Sequence, residues 1–373
     1  MEMKKTERLI TLDIFRGIIV ALMIMVNQPG SWSYKYDQMR HAQWNGCTLT
    51  DMIFPFFLFI VGIACWFSFQ KHQQKLSVDS IIKIIRRTVL IFLLGLMLNF
   101  FKQWIVSGEI NLSTLRITGV LQRISFCFGI GAILCLSLKP RGLLFTSIGI
   151  LFVYWIILWM AGGPQPYTAE NTIVGKIDIL LLGENHLRKG YLVDSSGLFA
   201  SIPGIVHVIW GYLMGMTIFR VNDRKKLIIK MLLIGLSAIL VAQLWSLVFP
   251  INKTLWTSSY VLFTNGWALV VLAFLIWIID VQKKTKYFSS FLVFGFNPLF
   301  AYIFAELWAS IMSGLIKFNF EGSLVSLKSW IYEQIFVPLF GNMNGSLFYS
   351  IFIMLFYWYI LWIMDKNKIY IKI

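Results

Sequence analysis

The sequence predicts an all-α protein, a polytopic transmembrane helical bundle of about ten spans with both termini cytoplasmic. Hydrophobic residues make up 58% of the chain and charged residues only 13%, whereas a soluble domain carries roughly a quarter charged residues. Apolar runs of about 20 residues, the length that crosses a bilayer, recur along the whole chain. No strand-like alternation competes with them, and a helix satisfies its own backbone hydrogen bonds in lipid.

The predicted spans follow the apolar runs in chain order. A basic N-terminus precedes the first run, but no small-residue cleavage site follows it, so we expect this span to be retained. A further apolar stretch, 329–341, contains Pro338 and is interpreted as a re-entrant or surface helix. We expect residues 1–373 to form one transmembrane domain. The predicted spans are 9–27, 50–69, 84–101, 117–138, 142–161, 198–219, 227–249, 258–280, 288–313 and 346–364.

The distribution of basic residues agrees with this topology. With a cytoplasmic N-terminus, the inner segments hold 21 of the 33 Lys and Arg residues and the outer segments hold 10, while Arg16 and Arg123 lie within spans. An excess of basic residues in cytoplasmic segments is usual for membrane proteins. Topology therefore accounts for the net charge of +16, and we expect no nucleic-acid partner.

Several kinds of site are absent from the sequence. The four cysteines form neither a disulfide framework nor a metal-ligand spacing, so we expect no metal site. No Walker or Rossmann glycine pattern is present. No internal repeat is evident, which argues against an inverted-repeat transporter.

The densest polar cluster is the first outer loop with its flanks, 27–51. His41 is one of four histidines, and an imidazole acts as base, acid or nucleophile near neutral pH. Asp51, which opens the second span, is positioned to orient the ring, and Asn27 ends the first span at the same membrane face. The alternative is an interfacial histidine beside a helix that Thr50 or Asp51 caps.

Charged residues inside spans form a second candidate site. Asp13 and Arg16 lie three residues apart on the first span, and Arg123 lies in the fourth. Such charges are costly in hydrocarbon and usually face a cavity or a partner. One interpretation is a structural pair of Asp13 with Arg16 or Arg123. The other is a polar cavity whose arginines face an anionic, phosphate-bearing ligand.

The long outer loop 162–197 carries Asp178 and His186. Its carboxylates and amides are candidates for binding a polyhydroxylated or amine-bearing molecule. The alternative is ordinary turn and cap chemistry, with Asp194 or Ser195 capping the next span.

Strings distributed over nearly the whole chain resemble one known family. They are TLDIFRG at 11–17, VN at 26–27, HAQWNG at 41–46, FP at 54–55, GVLQR at 119–123, INKTLWTSSY at 251–260 and GFNP at 295–298. On these residues the chain resembles the heparan-α-glucosaminide N-acetyltransferase family.

The resemblance implies an enzyme that moves acetyl from cytosolic acetyl-CoA, its co-substrate, to a glucosamine-type amine across the membrane. His41 and Asn27 match the family's functional histidine and asparagine, and a homodimer is implied. The animal enzyme has a luminal domain and an additional helix before this region, and we expect neither here. We therefore expect a multi-pass protein of the bacterial inner membrane that acts on free or cell-wall-derived amino sugars.

On this hypothesis the candidate residues take three roles. His41, Asn27 and Asp51 are catalytic. Arg16, Arg123 and Asp13 bind the CoA phosphates. Trp44, Asn45, Asp178 and His186 contact the sugar. Two alternatives remain open: a transporter of solutes such as sugars, and an O-acyltransferase of cell-surface glycans.

Overall fold

The computed structural model describes residues 10–371 as a helical bundle with one small hairpin. The helices are α1 (Ile10–Asn27), α2 (Leu49–Ser68), α3 (Val78–Ser107), α4 (Val120–Ser137), α5 (Pro140–Ala161), α6 (Ile173–Leu182), α7 (Gly204–Arg220), α8 (Arg224–Ser246), α9 (Ser258–Ile276), α10 (Leu292–Phe296), α11 (Pro298–Ser310), α12 (Leu327–Ile331) and α13 (Val337–Lys366). The strands of the hairpin are β1 (Lys317–Phe320) and β2 (Ser323–Ser326), which pair antiparallel.

The predicted all-α polytopic bundle is confirmed. Within residues 10–371, nine helical segments are long and apolar enough to cross a membrane, and each overlaps a predicted span. The last segment, Leu327–Lys366, also contains the stretch 329–341. The remaining predicted span, 84–101, lies inside α3, a 30-residue helix whose first turns carry several charged residues. The chain is therefore a multi-pass membrane protein.

Two segments between α11 and α13 add detail to the prediction. The apolar stretch 329–341 is helical, but Gly341 has a φ of 73° and interrupts the helix. Residues 327–340 rise about 21 Å at 1.5 Å per residue, less than the ~30 Å hydrocarbon core, so this segment is too short to span alone. The sequence does not predict the hairpin at 317–326, because four-residue strands are too short to show an alternating pattern.

α2 lies in the middle of the bundle and contacts α1, α4, α7 and α9. Its contact with α7 is backbone to backbone. A Cβ atom at Gly62 would lie 2.1 Å from the carbonyl oxygen of Val208, and one at Gly211 would lie 1.9 Å from that of Phe59. Small residues permit this close approach of membrane helices. The middle of α2 is thereby held against α7, and each end of α2 borders a cavity lined by charged side chains.

Candidate active site

Four parts of the chain line a cavity of about 590 Å³ where α1 ends and α2 begins. They are the α1–α2 loop with the first turn of α2, Ala169 before α6, residues 188–195 before α7, and residues 253–254 between α8 and α9. His41, Asp51 and Lys253 lie in its wall. A cavity of this volume suits a small organic ligand.

Asp51 is fully buried in the first turn of α2 and organises the loop before it. Its Oδ2 accepts hydrogen bonds from the backbone N–H groups of Ala42 (3.0 Å) and Thr48 (3.1 Å). Its Oδ1 lies 2.7 Å from Nδ1 of His41. A carboxylate only accepts hydrogen bonds, so Nδ1 of His41 carries the proton. Nε2 is then the unprotonated, basic nitrogen of the ring.

Lys253 is the third charged group of this site, and the sequence analysis did not assign it a role. Its Nζ lies 3.2 Å from Oδ1 of Asp51 and 3.0 Å from Nδ1 of His41. The Asp51 carboxylate therefore lies between a cation and the imidazole. The sequence feature that could have identified Lys253 is its position in the 251–260 string. Its contact with His41 cannot be predicted from the sequence, because 212 residues separate the two.

The surroundings of His41 favour its neutral form. Partial burial lowers the pKa of His41, the hydrogen bond to Asp51 opposes this effect, and the cations Lys253 and Lys35 lower the pKa further. Burial also lowers the pKa of Lys253, against the attraction of Asp51. The side chain of His41 is 54% exposed. A neutral, accessible imidazole has the lone pair that a base or nucleophile requires.

A proline in α2 explains a further contact at Asp51. Pro55 lies inside the helix and has no backbone N–H, so it cannot donate to the carbonyl oxygen four residues earlier, that of Asp51. The buried hydroxyl of Tyr260 donates to this oxygen at 2.7 Å. The bond replaces the missing helical one and ties α9 to the first turn of α2.

The turn that carries Lys253 is bonded directly to the α1–α2 loop. The backbone N–H of Gly46 donates to the carbonyl oxygen of Ile251 at 2.7 Å. The side-chain amide of Asn252 donates to Oδ1 of Asn45 at 3.2 Å. Asn45, predicted to contact substrate, thus joins the two segments whose side chains meet at Asp51.

Trp256 supports this turn from inside the bundle. It is fully buried and has a φ of 53°, a conformation that costs energy and persists where the surroundings enforce it. Its indole N–H donates to Nε2 of His207 at 3.2 Å, and the guanidinium of Arg123 lies 4.5 Å from its ring centroid. Arg123 therefore lies behind the active-site turn rather than in the cavity.

Trp44 and Lys35 contribute to the cavity wall in different ways. The indole N–H of Trp44 donates to the carbonyl oxygen of Tyr167 at 2.8 Å, which fixes the ring in the wall. The Nζ of Lys35 donates to the carbonyl oxygen of Val26 at 2.8 Å. Burial, with Arg40 nearby, lowers the pKa of Lys35 to about 8. Lys35 is a second cation that sequence reasoning missed.

Asn27 is exposed at the last position of α1 and is not among the side chains that line the cavity. It follows Val26, whose carbonyl oxygen accepts from Lys35 in the cavity wall. The structure brings His41 and Asp51 together, as predicted.

Asp13 and Arg16 lie toward the other end of α1 and form the predicted i,i+3 pair, with NH1 of Arg16 3.2 Å from Oδ1 of Asp13. Arg16 also donates to the carbonyl oxygen of Gly295 at 3.3 Å. Arg16 lines a cavity of about 260 Å³ together with Arg87.

Arg123 does not share that cavity. It is 1% exposed, and its Nε donates to Ser201 at 2.9 Å while NH2 donates to the carbonyl oxygen of Gly197 at 3.1 Å. It borders a separate, mostly apolar cavity of about 400 Å³. The expected joint phosphate site of Arg16 and Arg123 is therefore not what the geometry shows, because the two side chains point into different spaces.

Asp178 and His186 also lie outside the His41 cavity wall. Oδ1 of Asp178 accepts from the backbone N–H of Phe199 at 2.9 Å, and burial raises the pKa of this carboxyl. Nδ1 of His186 donates to the carbonyl oxygen of Leu115 at 2.7 Å. Both side chains bond to backbone groups and so stabilise the loop that supplies residues 188–195 to the cavity.

Comparison with known proteins shows which proteins this chain is similar to. A family model described as a domain of unknown function, DUF5009, matches residues 8–129. The chain is 28% identical over 360 aligned residues to heparan-alpha-glucosaminide N-acetyltransferase of Mus musculus, covering 79% of this chain and 53% of that protein. It is 26% identical over 390 residues to the Homo sapiens protein of the same name, covering 87% and 58%.

The chain spans about half the length of the curated relatives it matches. The family-model match contains His41, Asp51 and both arginines of the 260 Å³ cavity. The resemblance inferred from the motifs is confirmed: over most of its length the chain is similar to the heparan-alpha-glucosaminide N-acetyltransferases.

Proposed function

We propose that this protein is a membrane-bound N-acetyltransferase that transfers acetyl from acetyl-CoA to the amine of a glucosamine-type sugar. One observation carries the proposal. His41 lies in the wall of a 590 Å³ cavity with its Nδ1 2.7 Å from buried Asp51, so Nε2 is left basic. The similarity to proteins named N-acetyltransferases supports the reaction class.

The proposed chemistry uses Nε2 of His41 as the general base. As the sugar amine attacks the thioester carbonyl carbon, Nε2 takes a proton from the amine. The C–N bond forms, the C–S bond breaks, and the proton passes to the leaving thiolate. Asp51 holds the ring in its tautomer and stabilises the imidazolium. In the alternative route Nε2 itself first accepts the acetyl group, and ping-pong kinetics with burst labelling of the protein would identify that route.

The remaining predicted roles belong to this proposal. Asn27, the last residue of α1, is proposed to donate a hydrogen bond to the acyl oxygen, and Lys35 in the wall is a second candidate donor. Trp44 in the wall is proposed to offer an aromatic face to the sugar, and residues 188–195 are proposed to contact the rest of the acceptor.

We also propose that the donor binds at the cytoplasmic face and the acceptor at the opposite face. α1 separates the two, since Arg16 precedes Asn27 by 11 residues, a rise of about 16 Å. We further propose that the protein lies in the bacterial inner membrane, that residues 1–373 form a single domain, and that it is a homodimer.

An acceptor screen tests it. Purified protein is given radiolabelled acetyl-CoA with glucosamine, with N-acetylglucosamine, whose amine is blocked, and with neutral glycans. Labelling of glucosamine alone is expected. Labelling of hydroxyl-only acceptors would support an O-acyltransferase instead, and sugar uptake into proteoliposomes without acetylation would support a transporter. Either result contradicts the proposal.

A further inference from the structure

The 260 Å³ cavity lies at the opposite end of α2 from Asp51. Its wall includes Ala64 and Ser68 of α2, Arg16 of α1 and Arg87 of α3. Ser68 follows Asp51 by 17 residues, a rise of about 26 Å at 1.5 Å per residue. The cavity therefore lies near the other face of the bundle from His41.

The two arginines of this cavity differ in how their charges are balanced. Arg16 pairs with Asp13. Within residues 10–371, no ion pair includes Arg87, and its buried Nε has no hydrogen-bond partner. The guanidinium carbon of Arg87 lies 4.7 Å from the ring centroid of Phe128, which orients it without neutralising it.

This arrangement is unfavourable unless an anion is bound. Two cations in one enclosed, low-dielectric space repel each other, and the Asp13 carboxylate offsets only one of them. A guanidinium presents several donors in a planar fork that suits phosphate oxygens. A cavity of 260 Å³ is smaller than most whole-ligand pockets, so it fits a phosphate group rather than an entire nucleotide.

We propose that Arg87, together with Arg16, binds one phosphate group from the nucleotide end of acetyl-CoA, the acyl donor. The inference rests on the proposed acetyl transfer. Arg87 thus takes the phosphate-binding role that the sequence suggested for Arg123, which faces another cavity. From the sequence alone, Arg87 was counted only among the inner loop charges.

Direct binding tests the site without any acetyl transfer. The probe is adenosine 3′,5′-bisphosphate, measured with purified protein in phosphatidylcholine nanodiscs. We expect Arg87→Gln to weaken binding about tenfold or more, as for loss of one hydrogen bond between charged groups. Arg87→Lys, which keeps the charge, should lose less. Arg86→Gln, at the exposed neighbouring arginine, should bind like the parent. Equal binding by the parent and Arg87→Gln, or no binding by either, would overturn the proposal.

A lipid phosphate is the other source of the same chemistry. Nanodiscs that contain phosphatidylglycerol separate the two sources. If the anionic lipid abolishes probe binding and coenzyme A does not compete, the cavity holds a lipid headgroup and the assignment to the donor is wrong. Competition by coenzyme A in both kinds of disc is the expected result.

A donor comparison links the site to the reaction. We expect Arg87→Gln to raise KM for acetyl-CoA about tenfold and to leave kinetics with S-acetylpantetheine, which has no phosphate, unchanged. An equal loss with both donors would show a structural role and contradict the proposal. The two proposals can fail separately. If the bisphosphate binds through Arg87 but the protein acetylates no amine, the phosphate site stands and the proposed function is wrong.

Discussion

The two polar cavities at the ends of α2 differ in how complete they are. Around His41, the carboxylate of Asp51 lies between the imidazole and the ammonium of Lys253, so opposite charges are already in contact. Around Arg87, the described residues supply no counter-charge. The difference indicates that the first cavity is arranged for chemistry before any ligand arrives. The second is arranged to receive a charge that the ligand brings.

His41→Ala is expected to have the largest effect on turnover, and it should affect only the cavity around His41. Loss of the base should lower kcat about 1,000-fold, within the usual range for general base catalysis. KM for acetyl-CoA should change little, because we propose that the donor's phosphates bind at the far cavity. Initial rates against acetyl-CoA concentration measure both constants. His72→Ala, just after the other end of α2, is the matched control. Near-parental turnover in purified His41→Ala would show that the cavity is not the reaction centre.

Asp51→Asn should lower kcat about 100-fold or more while preserving the fold. The backbone N–H groups of Ala42 and Thr48 require an acceptor where Oδ2 lies, so the new amide oxygen must face them. Its NH2 then faces Nδ1 of His41 and forces the proton to Nε2, which removes the base. Kinetics and the unfolding temperature of the variant are measured together. An active Asp51→Asn protein would mean that the tautomer of His41 does not matter.

Lys253→Met should change the pH dependence more than the maximal rate. Lys253 lowers the pKa of His41, so its removal raises that pKa. His41 then loses its proton, and becomes a base, only at higher pH. The acidic limb of the kcat/KM profile should move to higher pH, with a loss of a few fold at neutral pH. Lys253→Arg keeps a cation and is the control. An unmoved acidic limb would show that Lys253 only supports the loop.

Tyr260→Phe is expected to have the smallest effect on turnover. The variant leaves the Asp51 carbonyl oxygen without the hydrogen bond that Pro55 cannot supply. A buried unpaired group costs about 1–3 kcal/mol. Thermal unfolding in detergent should show this loss, with Tyr359→Phe at an exposed position as control. Unchanged stability would indicate that water replaces the hydroxyl.

Much of the fold was predictable because hydrophobicity is a local property of the chain. The apolar runs that predict the spans are the same runs that form α1, α2 and α13, and the stretch 329–341 is helical as far as Gly341. The hairpin at 317–326 escaped because eight paired residues produce no periodic signal.

The candidate site was predictable only in part. His41 and Asp51 are ten residues apart, and the helix cap at Thr48 brings them together locally. Lys253 and Arg87 were missed because their neighbours lie in other helices. Arg16 and Arg123 looked equivalent as charges inside spans, yet rotation about the axis of α4 directs Arg123 toward Ser201 and Trp256.

The sequence by itself determined that this chain lives in a membrane, where its loops fall and which family its motifs resemble. These three properties depend on residues that are neighbours along the chain, so they can be predicted without knowing the fold. Only the tertiary structure decided which charges meet. Contacts such as Lys253 with Asp51 depend on how helices pack and rotate, and packing is set by shape complementarity between distant segments, as at Gly62 and Gly211.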